Sequence, residues 1–280
     1  MRPAVGRAVL GHTAAMDPDL RMDVARLDVL VAAAAGRVSA AVTTSEGWGW
    51  EHDAERVVPS ASTIKVPVLL AALASVEAGD LKLTTPVEIP ADRVGGSGPL
   101  SLLPSVTRLP LGELLSLMIA LSDNDATNVV LDLLGTGAVG ELLRKVPTRH
   151  TRLERRLMDF AAIERGLRNE TCAADLVGML VALREGRLLG QLHTATALGI
   201  LRTQQFKDGL PAYLPETISV ASKTGEIFGV RADVALLERD GRWVVVAALA
   251  TDLAEGPVDR GTEVLASFAR IGEVAGELLH

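Results

Sequence analysis

The sequence predicts an α/β protein with a separate all-α lobe: an antiparallel sheet of about five strands, flanked by terminal helices, with the helical lobe inserted. Strand-forming segments occur near the start of the chain and again near its end. A helical pattern precedes the first group and another follows the last, and Leu/Ala-rich helical segments broken by Gly and Pro fill the middle. One sheet assembled from both termini accounts for this order.

The first predicted elements are a helix and a hairpin. Asp17 followed by Pro18 resembles an N-cap with proline at the first helical position, and apolar residues recur at helical spacing up to residue 36. Residues 38–44 and 48–52 are rich in strand formers, and Ser, Glu and Gly join them. The pattern therefore predicts two paired strands after the helix.

Three more strands are predicted near the end of the chain. They cover residues 217–222, 231–238 and 243–251, and a tight turn at 239–242 joins the last two. A final helical pattern runs from 261 to 279. These segments supply the rest of the sheet and its second flanking helix.

Two lobes follow from this order. We expect an α/β lobe from residues 17–58 and 206–280, an all-helical lobe from residues 59–205, and a disordered tail over residues 1–16. The Gly/Pro-rich stretch 94–99 is typical of a rigid turn or a loop at the rim of a site, not of a domain boundary.

Composition excludes several classes of function. The net charge of −7 and the pI near 5.3 give no electrostatic footprint for DNA or RNA, so we expect no nucleic-acid partner. No uninterrupted apolar run reaches the length of a membrane span, and the first fifteen residues lack the apolar stretch of a secretory signal.

The sequence shows no pattern typical of a metal or cofactor site. A single cysteine, Cys172, offers neither a disulfide nor a thiol pair for zinc, so packing is its expected role. The histidines show no paired ligand spacing, and we expect neither a metal nor a cofactor. They are His12, His52, His150, His193 and His280.

The first chemical motif is Ser62-Thr63-Ile64-Lys65. It precedes an apolar helical pattern, so Ser62 should lie near a helix N-terminus, where backbone N–H groups face developing negative charge. Lys65, three residues on, falls on nearly the same face. A lysine whose pKa is lowered by burial and by a second cation such as Lys223 can serve as base for the serine. Pro67 predicts an irregular or tightened first turn.

The second motif is Ser122-Asp123-Asn124, between two apolar runs. It should occupy the corner between two helices, with its polar side chains towards a cleft. Ser, Asp and Asn also cap helices well, and for Asp123 we favour capping over direct chemistry.

The third motif is Lys223-Thr224-Gly225 at the end of a predicted strand. Gly225 lets a substrate lie along the strand edge, while Lys223 and Thr224 offer donors to an anionic group. Arg231, on the next strand, can add to the same anion site; the alternative is an exposed strand arginine with no part in binding.

In this order and at comparable separations, the three motifs resemble those of class A β-lactamases and their penicillin-binding relatives. The resemblance covers about residues 20 to 280. It implies a β-lactamase-like fold, a sheet packed by terminal helices beside an all-helical lobe, with the site in the crevice between them.

The resemblance also implies roles. Ser62 would be the acylated nucleophile, Lys65 a base or proton relay, and Ser122 the shuttle that delivers a proton to the departing nitrogen. Asn124 would hold the amide side chain of the substrate.

Two further roles concern charge on the substrate. Lys223 and Thr224 would hold its carboxylate, with Gly225 beside them. The backbone N–H groups of Ser62 and Glu226 would form the oxyanion hole, a donor pair often worth several kcal/mol of barrier.

The sequence departs from class A enzymes at the residue that normally activates the deacylating water. Leu157 stands where those enzymes have a glutamate, and Ala161 where they have an asparagine. Nearby acids are Glu154, Asp159 and Glu164, any of which can be considered as a substitute. The residues for acylation are thus present, while the usual base for deacylation is missing. The loss of such a base typically lowers the rate of the step by about a hundredfold to ten-thousandfold.

Three functions remain open at this point. The first is a β-lactamase-like hydrolase; the second is a DD-peptidase or esterase-like hydrolase with the same acyl-enzyme on peptidoglycan-like or ester substrates; the third is a penicillin-binding sensor that stays acylated. The persistence of a mass adduct on Ser62 separates them. We expect a small-molecule partner, a monomer and, from the chain as it stands, a cytoplasmic location, although the family usually acts outside the cytoplasm.

Overall fold

One antiparallel sheet contains strands from both ends of the chain. The structure is a computed structural model, and it describes residues 7–10, 18–146, 148–255 and 258–280. The strands are β1 (Arg7–Leu10), β2 (Arg37–Thr44), β3 (Trp48–His52), β4 (Val58–Pro59), β5 (Pro86–Glu88), β6 (Arg108–Pro110), β7 (Arg152–Leu153), β8 (Asn169–Thr171), β9 (Ser219–Ile227), β10 (Val230–Arg239), β11 (Arg242–Thr251), β12 (Ala254–Glu255) and β13 (Val258–Asp259). The α-helices are α1 (Pro18–Ala33), α2 (Lys65–Glu77), α3 (Leu111–Ala120), α4 (Asn124–Leu134), α5 (Thr136–Lys145), α6 (Phe160–Glu164), α7 (Ala173–Arg184), α8 (Gln191–Arg202) and α9 (Gly261–Glu277). Short 3-10 helices cover Ala61–Ile64 and Leu100–Leu102.

The predicted antiparallel sheet is confirmed. It contains the five expected strands and one more, β1, in the order β1-β3-β2-β11-β10-β9. The largest difference from prediction is in β9, which was expected over residues 217–222 and instead runs through the third motif. Its pairing with β10 is continuous, with Gly225 opposite Ala232 and Ile227 opposite Val230. Gly225 does not end the strand, because its backbone groups stay within the ladder.

The expectation of a disordered tail over residues 1–16 is wrong for residues 7–10. These form β1, antiparallel to β3, with Arg7 opposite Glu51 and Leu10 opposite Trp48. Without β1, β3 would be the edge strand, with unpaired backbone groups that β1 satisfies. The other residues of that expected tail, 1–6 and 11–16, lie outside the described residues.

The two faces of the sheet belong to different cores. On β11, Val244 and Val246 pack with the terminal helices α1 and α9, whereas Val245 and Ala247 pack with the helices of the middle of the chain. This alternation follows from the two-residue period of a strand, so each face buries its own apolar set.

Helix α2 lies at the centre of the helical segment. Each residue from Lys65 to Leu73 is buried, and α3, α4, α5 and α8 all pack against α2. A helix that is apolar on all sides must be surrounded by protein. Its N-terminus, which directly follows the 3-10 turn that contains Ser62, is therefore rigidly placed.

Among the described residues, no single helix is long and apolar enough to span a membrane. Two helices that meet at a sharp bend, Asn124–Leu134 and Gly137–Lys145, pass that criterion together on length and composition alone.

Candidate active site

Ser62 lies in the 3-10 turn Ala61–Ile64 immediately before α2. Such a turn is the tightened start that Pro67 predicts, since Pro67 is the third residue of α2, where the backbone N–H has no partner within the helix. Ser62 is half-buried and faces a cavity. Ala61 has a φ of 44°, a left-handed conformation that is uncommon for a residue with a side chain.

The Lys65 ammonium nitrogen connects Ser62 to the second motif. Its Nζ lies 3.0 Å from Ser62 Oγ and 3.0 Å from Ser122 Oγ. It also donates to the backbone oxygen of Ser122 at 2.6 Å and to Asn124 Oδ1 at 2.9 Å. Lys65 thus brings two hydroxyls within proton-transfer distance of one nitrogen.

The environment of Lys65 makes loss of its proton easier than for an exposed lysine. The side chain is fully buried. Burial, and then the nearby charge of Lys223, hold the Lys65 pKa well below its ordinary value, and Asp123 opposes them only in part. A neutral amine has a lone pair that can accept the Ser62 proton, so Lys65 can act as the base for this serine.

Ser122 lies at the predicted corner between α3 and α4, in a strained backbone conformation. Its φ is 54°, and this conformation directs both its carbonyl oxygen and its hydroxyl to Lys65. Asp123, the N-cap of α4, accepts from Ala126 N at 2.8 Å and from Leu100 N at 2.9 Å. The capping interpretation of Asp123 is therefore confirmed.

Asn124 fixes the loop over residues 94–99 against the site. Its Nδ2 donates to Gly95 O at 2.9 Å, and the neighbouring Asp125 accepts from Val94 N at 2.7 Å. Gly96 and Ser97 then line the cavity, so this loop forms part of the rim.

Lys223 lies in β9 behind the cavity wall and is fully buried. Its Nζ donates to Thr224 O at 2.8 Å. Burial lowers the Lys223 pKa to about 7, and the Asp233 carboxylate opposes that shift. Burial likewise raises the Asp233 pKa to about 7, and Asp233 Oδ1 has no hydrogen-bond partner among the described residues. Sequence analysis missed Asp233, although a lone carboxylate in the apolar run of β10 was a usable signal.

Strand β9 passes directly beside Ser62. A Cβ atom added to Gly225 would stand 3.0 Å from Ser62 N and 3.2 Å from Thr63 N. Only glycine lets the two backbones approach this closely. Glu226 follows, and its backbone is thereby held on the same side of the cavity as the Ser62 amide.

Arg231 lies on the cavity wall, not on an exposed strand face. Its side chain is only 12% exposed and pairs with Glu226, with Nη2 2.7 Å from Oε1. The guanidinium packs against Gly261 at the start of α9, where an added Cβ would be 2.4 Å from Cζ. An anion that binds Arg231 therefore competes with Glu226 for the guanidinium charge.

Leu157 lines the cavity and is held through its backbone by Asn128. Leu157 N donates to Asn128 Oδ1 at 2.8 Å, and Asn128 Nδ2 donates to Leu157 O at 3.0 Å. Sequence analysis did not identify Asn128. Its signal was its spacing from Asn124, since residues four apart share one face of a helix.

Asn169 closes the base of the loop that carries Leu157. Its Oδ1 accepts from Glu154 N at 3.0 Å and from Arg155 N at 3.2 Å, while its Nδ2 donates to Arg155 O at 3.0 Å. All three asparagines of the chain thus fasten segments of this site.

The three acids considered as substitutes for the missing glutamate do not face the cavity. Asp159 caps α6 by accepting from Ala162 N at 2.8 Å, and Glu154 accepts from Arg168 N at 2.7 Å. Neither of them, nor Glu164, is among the described residues that line the cavity. The carboxylates on the described wall belong to Asp208, Glu226 and Asp233.

The cavity has a volume of about 770 Å³, enough for a drug-sized molecule. Lys65 and Lys223 lie buried behind its wall. The other predicted site residues line it directly: Ser62, Ser122, Asn124, Thr224, Gly225, Glu226 and Arg231.

Comparisons with known proteins agree with this architecture. Residues 23–278 match the family described as the beta-lactamase enzyme family. A beta-lactamase from Rhodobacter capsulatus is 30% identical over 223 residues, which cover 76% of this chain and 74% of that protein.

Solved structures show the same fold. The beta-lactamase from Sphaerobacter thermophilus superimposes with a TM-score of 0.84 at 29% identity, covering 94% of this chain and 98% of that one. PBP-A superimposes with a TM-score of 0.81 at 22% identity, covering 92% of this chain and 95% of that one, a likeness of fold alone.

Proposed function

Because this chain belongs to the beta-lactamase enzyme family and is a serine β-lactamase-like hydrolase, we propose that Ser62 is its acylated nucleophile and that the acyl-enzyme is released slowly. The observation that carries the proposal is the pair of 3.0 Å distances from Lys65 Nζ to the Ser62 and Ser122 hydroxyls, in a cavity lined by Leu157.

Acylation uses Lys65 and Ser122 as the proton path. Neutral Lys65 takes the Ser62 proton while Ser62 Oγ bonds to the substrate carbonyl carbon. The C–N bond of the lactam or amide then breaks, and its electron pair goes to the departing nitrogen. That nitrogen takes its proton from Ser122, which recovers one from Lys65, so Lys65 ends neutral as it began.

Backbone and cationic groups hold the substrate during this step. The N–H groups of Ser62 and Glu226 receive the carbonyl oxygen, an assignment supported by the close contact of Gly225 with Ser62 N. Asn124 receives the amide side chain. The charge of Lys223, with Thr224, attracts a substrate carboxylate, and Arg231 stands on the same wall.

Release of the acyl group is slow because the position that should activate water carries an aliphatic side chain. The Leu157 side chain has no proton acceptor. Glu154 and Asp159 accept hydrogen bonds elsewhere, and Glu164 is not among the described residues that line the cavity. Without general-base help, hydrolysis of the ester loses about a hundredfold to ten-thousandfold. The proposed substrates are carboxylate-bearing β-lactams. Peptidoglycan-like amides or esters are the alternative substrates for the same acyl-enzyme.

Intact-mass spectrometry after exposure to benzylpenicillin should show one adduct of the mass of the intact antibiotic, persisting for many minutes. Ser62→Ala should form no adduct, whereas Ser75→Ala, which changes a serine of α2 outside the cavity, should be acylated like the natural chain. An adduct that appears and vanishes within seconds would contradict slow release. An adduct on Ser62→Ala would contradict the choice of nucleophile.

Asp233→Asn should move the alkaline fall of the acylation rate to lower pH. Lys223 attracts the substrate carboxylate only while protonated, so the second-order rate constant should fall as pH rises through its pKa of about 7. Removing the Asp233 charge removes the interaction that opposes the lowering of that pKa, and Lys223 then loses its proton at lower pH.

The measurement is the rate constant of Ser62 acylation across pH, with Asp240→Asn as the matched control, since Asp240 lies in the exposed turn at the far end of β10. If the alkaline fall of the acylation rate in Asp233→Asn stays at the same pH or moves to higher pH, Asp233 does not raise the Lys223 pKa as assigned here.

A further inference from the structure

The phenylalanines of this aromatic-poor chain are concentrated at the active-site cavity. Of its four phenylalanines, Phe160, Phe206 and Phe228 line the cavity, with residue exposures of 64%, 44% and 74%. The fourth, Phe268, belongs to α9 and is fully buried in the core between that helix and the sheet. Scattered exposed apolar residues are ordinary, but a cluster of rings around one cleft marks a binding surface.

Phe228 is presented by a tight hairpin. Phe228 and Gly229 form the two-residue turn between β9 and β10, whose ladder closes with Ile227 opposite Val230. Gly229 has a φ of 75°, and its carbonyl accepts from Leu253 N at 3.2 Å. Phe228 therefore has a fixed backbone support at the end of β9, the strand that carries Lys223.

Phe206 is fixed through a buried glutamine. Phe206 N donates to Gln204 Oε1 at 3.0 Å, and Gln204 Nε2 donates to Ile119 O at 3.1 Å. Gln204 is only 1% exposed. The backbone of Phe206 is thus tied to the end of α3, just before the Ser122 corner.

The third ring adjoins the amide-binding residue through Met158. Phe160 begins α6, two residues after Met158, and both line the cavity. Met158 Cε and Asn124 Nδ2 lie 3.1 and 3.2 Å from where a Cβ on Gly96 would stand. Apolar surface therefore begins beside Asn124.

We propose that Phe160, Phe206 and Phe228 are specificity-determining residues that bind large apolar, aromatic groups of the substrate beyond its polar anchors. The inference rests on the acylation proposed above. Polar anchors already account for the carboxylate, the carbonyl oxygen and the amide, so the rings are left for the remaining part of the substrate. Because a hairpin, a buried glutamine and a helix start hold the backbones of these residues, binding has to order only the two side-chain torsions of each ring, and ring-to-ring contact adds to the gain from burial.

The test compares two β-lactams that differ only by one phenyl ring, benzylpenicillin and 6-acetamidopenicillanic acid. The natural chain should be acylated faster by benzylpenicillin. Phe160→Ala, Phe206→Ala and Phe228→Ala should each lower the ratio of the two rate constants by about twofold to tenfold. Tyr213→Ala removes a half-exposed aromatic residue outside the cavity and should leave the ratio unchanged.

A binding measurement keeps this test separate from the proposed chemistry. The same two compounds are titrated calorimetrically into Ser62→Ala, alone and combined with each phenylalanine substitution. If Ser62→Ala binds benzylpenicillin more tightly and the phenylalanine substitutions reduce that preference, the inference is supported. This holds even if the natural chain forms no adduct, because that result would refute only the proposed nucleophile. Equal binding of the two compounds, or a preference untouched by all three substitutions, overturns it.

Discussion

Leu157→Glu should raise the rate at which the acylated protein regenerates free Ser62 by about a hundredfold to ten-thousandfold, the usual contribution of a general base. Leu157 already lines the cavity, and Asn128 holds its N–H and its carbonyl at 2.8 and 3.0 Å. Because those bonds use only the backbone of residue 157, the loop keeps its shape when the side chain changes.

Leu157→Gln is the matched control, since glutamine has the shape of glutamate without the basic oxygen. The measurement follows decay of the Ser62 adduct by mass spectrometry after excess benzylpenicillin is removed. Leu157 is half-buried against the helical core, so both variants should lose some thermal stability. If glutamine accelerates release as much as glutamate does, or neither changes it, slow release has a cause other than a missing base.

Lys65→Met should reduce the rate of acylation by about a hundredfold to ten-thousandfold. Methionine nearly fills the volume of the lysine but has no nitrogen to accept the Ser62 proton or return one to Ser122. It also leaves the Ser122 carbonyl, which Lys65 contacts at 2.6 Å, without that donor. The measurement is the second-order rate constant of adduct formation at neutral pH.

Lys65→Arg separates the role of base from that of charge. Arginine keeps a cation at this position but cannot lose its proton, so its acylation rate should stay low across the accessible pH range. Lys82→Met, at an exposed lysine outside the cavity, should behave as the natural chain. Near-normal acylation by Lys65→Arg would show that Lys65 acts through its charge alone.

The main elements of the fold could be predicted because their signals are local. Alternating apolar residues and turn residues located β2, β3, β10 and β11 to within one residue at each end. Strand β1 could not be found in this way. Its four residues have no turn linking them to β3, and they form a strand only because β3 offers an unpaired edge. Long-range pairing of a short segment leaves little trace in composition.

The site likewise contains residues that local motifs predict and residues that they do not. Short motifs identified Ser62, Lys65, Ser122 and Lys223, because their chemistry requires fixed residue types at fixed spacing. Asn128 was missed because its amide acts on the backbone of a residue 29 positions away, and a backbone partner imposes no residue type.

The phenylalanines around the cavity come from three separate segments of the chain. Phe160, Phe206 and Phe228 line one cavity only because those segments pack around it. No local pattern could assemble them, although their scarcity in the composition was a hint.

The two edges of the sheet carry unequal risks of self-association. One edge is β1, only four residues long, and a short edge is a poor template for a second molecule. The other is β9, nine residues long, which alone would be an open site for strand pairing between copies. The 3-10 turn that carries Ser62 packs against β9, and helix α8 contacts it as well. The turn that positions the nucleophile therefore also covers the long edge strand and prevents β-pairing between molecules. Disrupting this turn would promote aggregation as well as loss of activity.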